Sequence, residues 1–551
     1  MVADAGGRTS AIFRAFGWFV ALAALAYGAI LFGTALWLSV GTPFRFIDDY
    51  GDWQDVCLFE PGQFVHWLSR ELLSGTSERW RPGFTLWNAI AWTLFGPNPA
   101  WHHLARLAAT AATAVLSAAF VASAFRRDLS RLSRVDRIFV LAIPVLLILF
   151  WPNRPDARLA PQEVPAAFWL SATNLLLLRL VRTERSSGFP AWIAGLAAFS
   201  SSLLLLAISK ESSVAVLPVF LFAAALSALR APIRTAVSIG IVSSAVLGLS
   251  VRNILGAMRS GGAGYAELSA HTAIGNAITV FRDLFGFRAS VPLALVLLAA
   301  AAAPLFAALA GARKPERRGE AAWIALLCAE TGALFAFQCL QRTISLRYWY
   351  PLVPLAASLA AVSAMSLFRR FPARTRAVRT VLACLAAAFL VCNGHDYCLQ
   401  FVVQRTAGDV EAAALRVAAG DAADGRTVLL RSPGSSEYRG KFFLAAGPFR
   451  RHFGETTIPL TEIQVRPRSL AAGETYATMA RADFAVRPFA VCSRIPEELP
   501  VWPVLRIVRK ASALFQLRRD PVIRLDAGTV DPHYVWVFFR GPVPEAKEES
   551  R

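Results

Sequence analysis

Four carboxylates fall within eight residues of "FRFIDDYGDWQDV": Asp48, Asp49, Asp52 and Asp55. They follow a nearly uncharged stretch, Gly17 to Val40. A carboxylate beside a hydroxyl can take its proton as the oxygen attacks. Two adjacent carboxylates can also hold a metal or simply be solvated. Asp48 and Asp49 are the candidates for this work. Cations stand at comparable positions further on. "LLLLAISKESSVAVLP" puts Lys210 and Glu211 in a hairpin with almost no loop, either as a phosphate site or as a pair snorkelling to an interface. "QRTISLRYWYPLVP" brings Arg342, Arg347 and Tyr348. "ERWRPGFTLWNAIAWTLFGPNPAWHHLARL" carries Arg81 before an amphipathic stretch. His102 and His103 then open an apolar run, as site groups or as interfacial anchors. "WPNRPDARLAPQEVPAAFW" holds Asp156 and Glu163. Glu163 stands at a helix start, where the dipole alone would favour it. Together these residues suggest a cavity in which an anionic headgroup meets cations and an attacking hydroxyl meets an acid.

The elements that must carry these groups are membrane spans. Of the 551 residues 56% are hydrophobic and only 17% charged, with a mean hydropathy of +0.47. That overrules the several soluble domains that length alone suggests. Apolar runs near the ~20 residues a spanning helix needs recur up to about residue 396. About eleven are expected, near 16–40, 101–125, 138–152, 164–181, 190–208, 212–229, 235–252, 291–311, 321–340, 350–367 and 379–396. The first is too long for a signal peptide, and no clear small-residue cleavage site follows it. The net charge of +20 is explained by topology and not by a nucleic-acid partner. "RRDLSRLSRVDR", "RLVRTER", "RAPIR", "ARKPERR" and "RRFPARTRAVR" fall on one side if the spans alternate, and that side reads as cytoplasmic. The N-terminus is then cytoplasmic, and the loops 41–100 and 253–290 lie outside with the acidic cluster. Both loops carry stretches suited to helices lying at the interface.

Beyond residue 396 charge returns and apolar runs shorten. "AGDVEAAALRVAA" reads as a helix, and "RTVLLRS", "ADFAVRPFAV" and "YVWVFF" read as strands. The fold expected is therefore mainly α. Residues 1–396 form a polytopic helical bundle, and 397–551 hold an extracytoplasmic soluble α+β domain. All but five of the 57 basic residues are Arg, which makes Lys210 worth inspection. The seven cysteines show no metal-ligand spacing. Cys398 and Cys492 both fall in the outer domain, where a disulfide and two free thiols are equal expectations.

The order of these motifs resembles the GT-C glycosyltransferases, integral-membrane enzymes that use polyprenyl-phosphate sugars. The likeness is to the branch of protein O-mannosyltransferases and tetratricopeptide-bearing mannosyltransferases. "DDY" resembles the family's Asp-Asp or Asp-Glu motif. The Arg81-to-Leu107 stretch is similar to its Arg-Pro…Asn…Leu-Phe-Gly-x-Asn-Pro…His-Leu-x-Asn-Leu signature. Glu163 lies at the acidic position of the second outer loop. "SKES" and "RYWYPLVP" resemble later elements. The likeness covers residues 1 to about 370. Gly83 and Arg106 stand where the family has Leu and Asn, and the tetratricopeptide repeats are absent.

The resemblance implies an inverting transfer of a sugar from a polyprenyl-phosphate donor to an acceptor hydroxyl at the outer face of a plasma (inner) membrane. It implies Asp48 as base with Asp49 beside it, and Lys210, Arg347 and Arg81 on the donor phosphate. Glu163, His102, His103, Tyr348 and Glu211 are expected to support them. The acceptor would be a protein, a lipid-linked glycan or an envelope polymer. No cofactor is expected, with a divalent cation left open. The competing classes are a transporter or flippase of lipid-linked glycans, which would need polar groups at mid-span, and a non-catalytic scaffold of the same fold. Glu330 and Asn174 are the visible mid-span polar residues.

Overall fold

Apolar segments longer than a bilayer core is thick must satisfy every backbone group internally, so they fold as helices and pack on one another. The computed structural model describes residues 3–44, 61–74, 80–151, 159, 162–183, 188–228, 232–259, 274–277, 318–339, 346–431, 445–452, 456–462, 470–478, 490–493, 498–513 and 535–541. The chain opens with α1 (Ala3–Val40), then α2 (Pro61–Ser74) and α3 (Pro82–Phe95). The bundle continues through α4 (Pro99–Ala124), α5 (Arg134–Leu149), α6 (Glu163–Thr183), α7 (Phe189–Ser209), α8 (Leu217–Ala228) and α9 (Ile233–Arg259). It closes with α10 (Arg318–Cys339), α11 (Val353–Arg370) and α12 (Thr375–Ala423).

Among the described residues eight helices are long and apolar enough to cross a membrane. Two further expected spans correspond to the shorter helices α5 and α8, and the expected span 291–311 lies outside the described residues. Local signals start several helices. Asn98 caps α4 by accepting from the Ala100 N–H at 3.1 Å, with Pro99 in the first turn. Ser133 caps α5 by accepting from the Asp136 N–H at 3.2 Å. The stretches expected to lie at the interface in loop 41–100 are α2 and α3. Asn253 Nδ2 donates to the Leu72 carbonyl at 2.8 Å and ties α2 to α9.

Among the described residues, basic side chains from the connections gather at one end of the bundle. Arg369 pairs with Asp128, Arg379 Nε lies 2.9 Å from Asp136 Oδ1, and Arg182 donates to the Ala124 carbonyl. At mid-bundle Glu330 is fully buried and accepts from Asn174 Nδ2 at 2.8 Å. These two polar residues meet each other across α6 and α10.

α12 is 49 residues long and carries the chain unbroken past residue 396 into the sheet. It packs along most of α1, so the first and last spans are neighbours. The sheet has the order β2-β1-β3-β5-β4, with β1 (Thr427–Arg431), β2 (Leu460–Glu462), β3 (Glu474–Thr478), β4 (Ala490–Ser493) and β5 (Val535–Arg540). β1 is parallel to β2 and β3, while β5 is antiparallel to β3 and β4. Asp421, fully buried near the end of α12, accepts from Thr475 Oγ1 at 2.6 Å and Arg540 Nε at 3.0 Å. This bolts the helix to the sheet. A further helix, α13 (Trp502–Ala513), packs on α12 through Leu505 and Val508, with Arg506, Arg509 and Lys510 exposed.

Cys398 and Cys492 are both free thiols, so the pairing that the sequence left open does not form. The reason is their placement in different cores. Cys398 is buried in the helical bundle, and Cys492 packs with Val410, Ala414 and Ala418 under the sheet. Twelve helical residues, about 18 Å, separate Cys398 from Val410.

Candidate active site

At the end of the bundle opposite the basic connections, three separate segments bring charge together and a fourth adds an aromatic ring. α7 ends at Ser209, Lys210 takes an extended conformation, and Glu211 starts a 3-10 helix, Glu211–Val216. The two side chains therefore part. Lys210, 4% exposed, forms an ion pair with Glu163 at the first position of α6, itself 3% exposed. Glu211 accepts from Arg81 Nε at 2.6 Å. Tyr348, in the 3-10 segment Leu346–Leu352, lies beneath the Lys210 ammonium, 4.3 Å from ring centroid to Nζ. Replacing a buried ion pair by apolar groups is often neutral or stabilising. One buried pair, Lys210–Glu163, and one part-buried pair, Arg81–Glu211, on successive residues point to a use beyond stability.

Arg81 reaches Glu211 because Gly83 lets α3 approach α7. A Cβ at position 83 would lie 2.5 Å from Ile208 Cγ1 and 3.0 Å from the Ile208 carbonyl group. The Leu of the resembling family would not fit against this hairpin. The substitution that looked like a departure is thus matched to the local packing.

Beside this cluster lies an aromatic pocket lined by Trp87, Asn88, Trp92, His102, Arg106 and Leu159. Arg106 is 2% exposed, its guanidinium 5.6 Å from the Phe84 ring centroid and 5.8 Å from that of Trp87. It also donates to Asn88 Oδ1 at 3.4 Å. His102 Nε2 lies 2.9 Å from the Gly96 carbonyl, and its ring centroid is 4.3 Å from that of Trp92. These contacts make His102 a packed aromatic in this pocket. His103 is buried at 1% exposure, and neither ring nitrogen has a hydrogen-bond partner among the described residues.

The structure thus brings together Glu163, Lys210, Glu211, Arg81 and Tyr348, with His102 and His103 at the start of α4. Asp48, Asp49, Asp156 and Arg342 lie outside the described residues. Arg347 belongs to the 3-10 segment that carries Tyr348, and its side chain lies outside the description. Sequence reasoning did not single out Asn88 or the apolar residues Phe44 and Leu159. Asn88 falls at the signature's own Asn, a signal that was available. Among the described residues no three His, Cys, Asp or Glu side chains converge as metal ligands would.

Electrostatically, the cluster presents two cations, each held by a carboxylate. An anion entering beside Lys210 would compete with Glu163 for the ammonium, and one near Arg81 would compete with Glu211. Such an exchange of partners keeps the cations compensated with and without ligand.

Neither a family model nor a curated protein matches the chain. Among solved structures it is similar to ArnT from Cupriavidus metallidurans bound to undecaprenyl phosphate, at 12% identity and a TM-score of 0.46, covering 93% of this chain and 97% of that one. It is also similar to the oligosaccharyltransferase AglB from Archaeoglobus fulgidus in complex with an inhibitory peptide and a dolichol-phosphate. There the identity is 13% and the TM-score 0.42, covering 81% of this chain and 64% of that one. Another structure of the Archaeoglobus fulgidus oligosaccharyltransferase is a complex with Zn and sulfate, at 11% identity and a TM-score of 0.43, covering 80% and 62%.

Proposed function

We propose that this chain is a glycosyltransferase of the GT-C type, moving a hexose from a polyprenyl-phosphate donor to an acceptor hydroxyl at the outer face of a plasma (inner) membrane. The observation that carries the reading is the buried pairing of Lys210 with Glu163 and the part-buried pairing of Arg81 with Glu211, at the end of the bundle opposite its basic connections. A lipid tail remains in the bilayer at that depth while its phosphate reaches the cations. The order of the sequence motifs supports the same substrate class.

The reaction this reading implies is a single displacement. The acceptor oxygen attacks the anomeric carbon on the face opposite the phosphate. The bond from that carbon to the phosphate oxygen breaks, and its electron pair stays on the leaving polyprenyl phosphate. Asp48 takes the acceptor proton, and the anomeric centre inverts. Negative charge grows on the phosphate as the bond breaks, so Lys210 and Arg81 bind the transition state more tightly than the donor. Arg347 is assigned to the same phosphate. Glu163 and Glu211 hold the two cations in place when no donor is present, and Tyr348 supports the Lys210 ammonium through its ring face. Successive residues cannot both aim at one hydroxyl without a sharp backbone turn, so Asp49 supports Asp48.

The test is transfer of radiolabel from polyprenyl-phosphate hexoses by the purified protein in liposomes, with protein, lipid-linked glycan and envelope polymer as acceptors. Asp48→Asn is expected to lower the rate by ~10²–10⁴-fold, the usual cost of losing a general base. Asp49→Asn is expected to weaken transfer partially. Wild-type rates in both variants would reduce the acidic loop to a solvated turn. Repeating the assay with EDTA decides whether a divalent cation takes part.

A further inference from the structure

We propose that the C-terminal sheet domain is a positioning element of the transfer site: it clamps both outer segments that lead to the acidic residues. The proposal rests on the transferase reading above and adds a role for the domain.

Two side chains from the bundle's outer loops are buried in the sheet's core. Phe44, from the first outer loop, is 6% exposed, and Leu159, from the second, is 8% exposed. Both belong to one buried cluster with Val410, Ala414 and Ala418 of α12 and with Phe449 and Trp536. Phe449 belongs to the sheet domain, in the short helical segment Ala445–Phe449. Its ring stands edge-on to Phe44 at 5.8 Å and to Trp92 at 5.8 Å. Phe44 in turn lies 4.9 Å from Trp92 and 5.5 Å from His102. The four rings join the first outer loop, α3, α4 and the sheet domain in one contact.

The backbone leading to Phe44 is also seated on α12. Gly408 faces Pro43 so closely that a Cβ there would lie 3.0 Å from Pro43 Cδ and 3.1 Å from its carbonyl oxygen. The Arg405 guanidinium fills the space that a side chain at position 41 would take, and Asp409 holds Arg405 at 2.9 Å. Residues 41 to 44 therefore follow α12 in a fixed register.

The placement of these anchors along the chain gives them their meaning. Phe44 precedes Asp48 by four residues, a reach of at most ~14 Å for an extended chain. Leu159 precedes Glu163, the partner of Lys210, by four residues. One apolar core thus holds the approach to both acidic positions. Attachment of the sheet to α12 does not require these contacts, because Asp421 already binds Thr475 and Arg540. A displacement of about 1 Å at reacting groups can cost 10²-fold in rate, so a clamp on these segments acts on catalysis.

Phe449→Ala is expected to lower kcat by about 10–100-fold while the donor KM stays near wild type, because Lys210 and Arg81 are untouched. Phe449→Tyr should recover most of the loss. Phe44→Ala should match Phe449→Ala, and the double variant should be no worse than either single one. Thr475→Val, which loosens the helix–sheet bolt, serves as the structural control and should leave kcat near wild type. Hydrogen exchange supplies a readout independent of activity. Amides of Thr42 to Asp48 should exchange faster in Phe449→Ala, with the spans unchanged. Wild-type kcat in Phe449→Ala, or an equal kcat loss in Thr475→Val, would overturn the inference. So would unchanged exchange at Thr42 to Asp48, whether or not the wild type transfers sugar. Failure of the wild-type protein to transfer any polyprenyl-phosphate hexose, with exchange altered as expected, would instead remove the transferase reading and keep the clamp.

Discussion

Lys210 is buried against Glu163 and Tyr348, which decides how its removal must be tested. Lys210→Ala alone takes the ammonium from a buried carboxylate, a cost of about 3–5 kcal/mol in folding that would cloud any loss of activity. Paired with Glu163→Gln, Lys210→Ala should fold. It should also raise the donor KM and lower kcat by about 10²–10³-fold, the usual loss when a group that stabilises transition-state charge is removed. Lys210→Arg should not restore it, since a planar fork does not replace a point charge in a tight hairpin. Donor binding and turnover at wild-type levels in the double variant would reassign Lys210 to interface anchoring. Gly83→Ala tests the neighbouring contact. The added methyl overlaps Ile208, and a retreat of α3 to relieve it would draw Arg81 from Glu211. The expected result is about 1–3 kcal/mol of overpacking, seen as a lowered melting temperature, together with slower transfer. An unchanged melting temperature would show that the hairpin yields instead. Lys210, Glu211, Arg81 and Glu163 were legible in the sequence because charge at a span's end is costly and stands out, and Tyr348 through the resemblance of "RYWYPLVP" to a family motif. Phe44, Leu159 and Phe449 were not, because an apolar residue in a loop carries no mark of the core it will enter.

At the scale of elements, the long spans announce themselves by hydropathy, and β1 and β5 by their runs of branched and aromatic residues. "LTE" and "ETYAT" do not. β2 and β3 are short and exist through pairing with β1, a contact that local pattern cannot register. The drop in hydropathy near residue 397 reads as the end of a span. The helix nevertheless continues, because nothing between Asp396 and Val410 supplies a proline, and its one glycine there, Gly408, serves the contact with Pro43. The two cysteines on either side of this junction give a direct check. Burial pushes the Cys492 thiol above its ordinary range. The thiolate is the reactive form, so labelling should be slow at neutral pH and rise only at pH above that usual for thiols. Mass spectrometry without reductant should find Cys398 and Cys492 unlinked, and both should alkylate fully once the protein is denatured. A recovered Cys398–Cys492 peptide would contradict the separation of the two cores.

For the whole molecule, the gathering of Arg182, Arg369 and Arg379 at one end gives the orientation its physical basis. We expect that end to be cytoplasmic by the positive-inside rule, with the sheet domain across the membrane. A reporter fused after Arg551 should be active only outside the cytoplasm, and activity confined to the cytoplasm would reverse the assignment. The sheet order has a bearing on biosynthesis. β5, the last strand of the sheet in sequence, lies between β3 and β4, and Trp536 and Phe538 on it complete the core that receives Phe44. The first outer loop leaves the ribosome early, yet its anchor is finished only after residue 540 has been made. Pairings over such a sequence distance form late in folding. A nascent or prematurely terminated chain can therefore insert its spans while its loop stays unclamped, and full activity waits until β5 (Val535–Arg540) has been made.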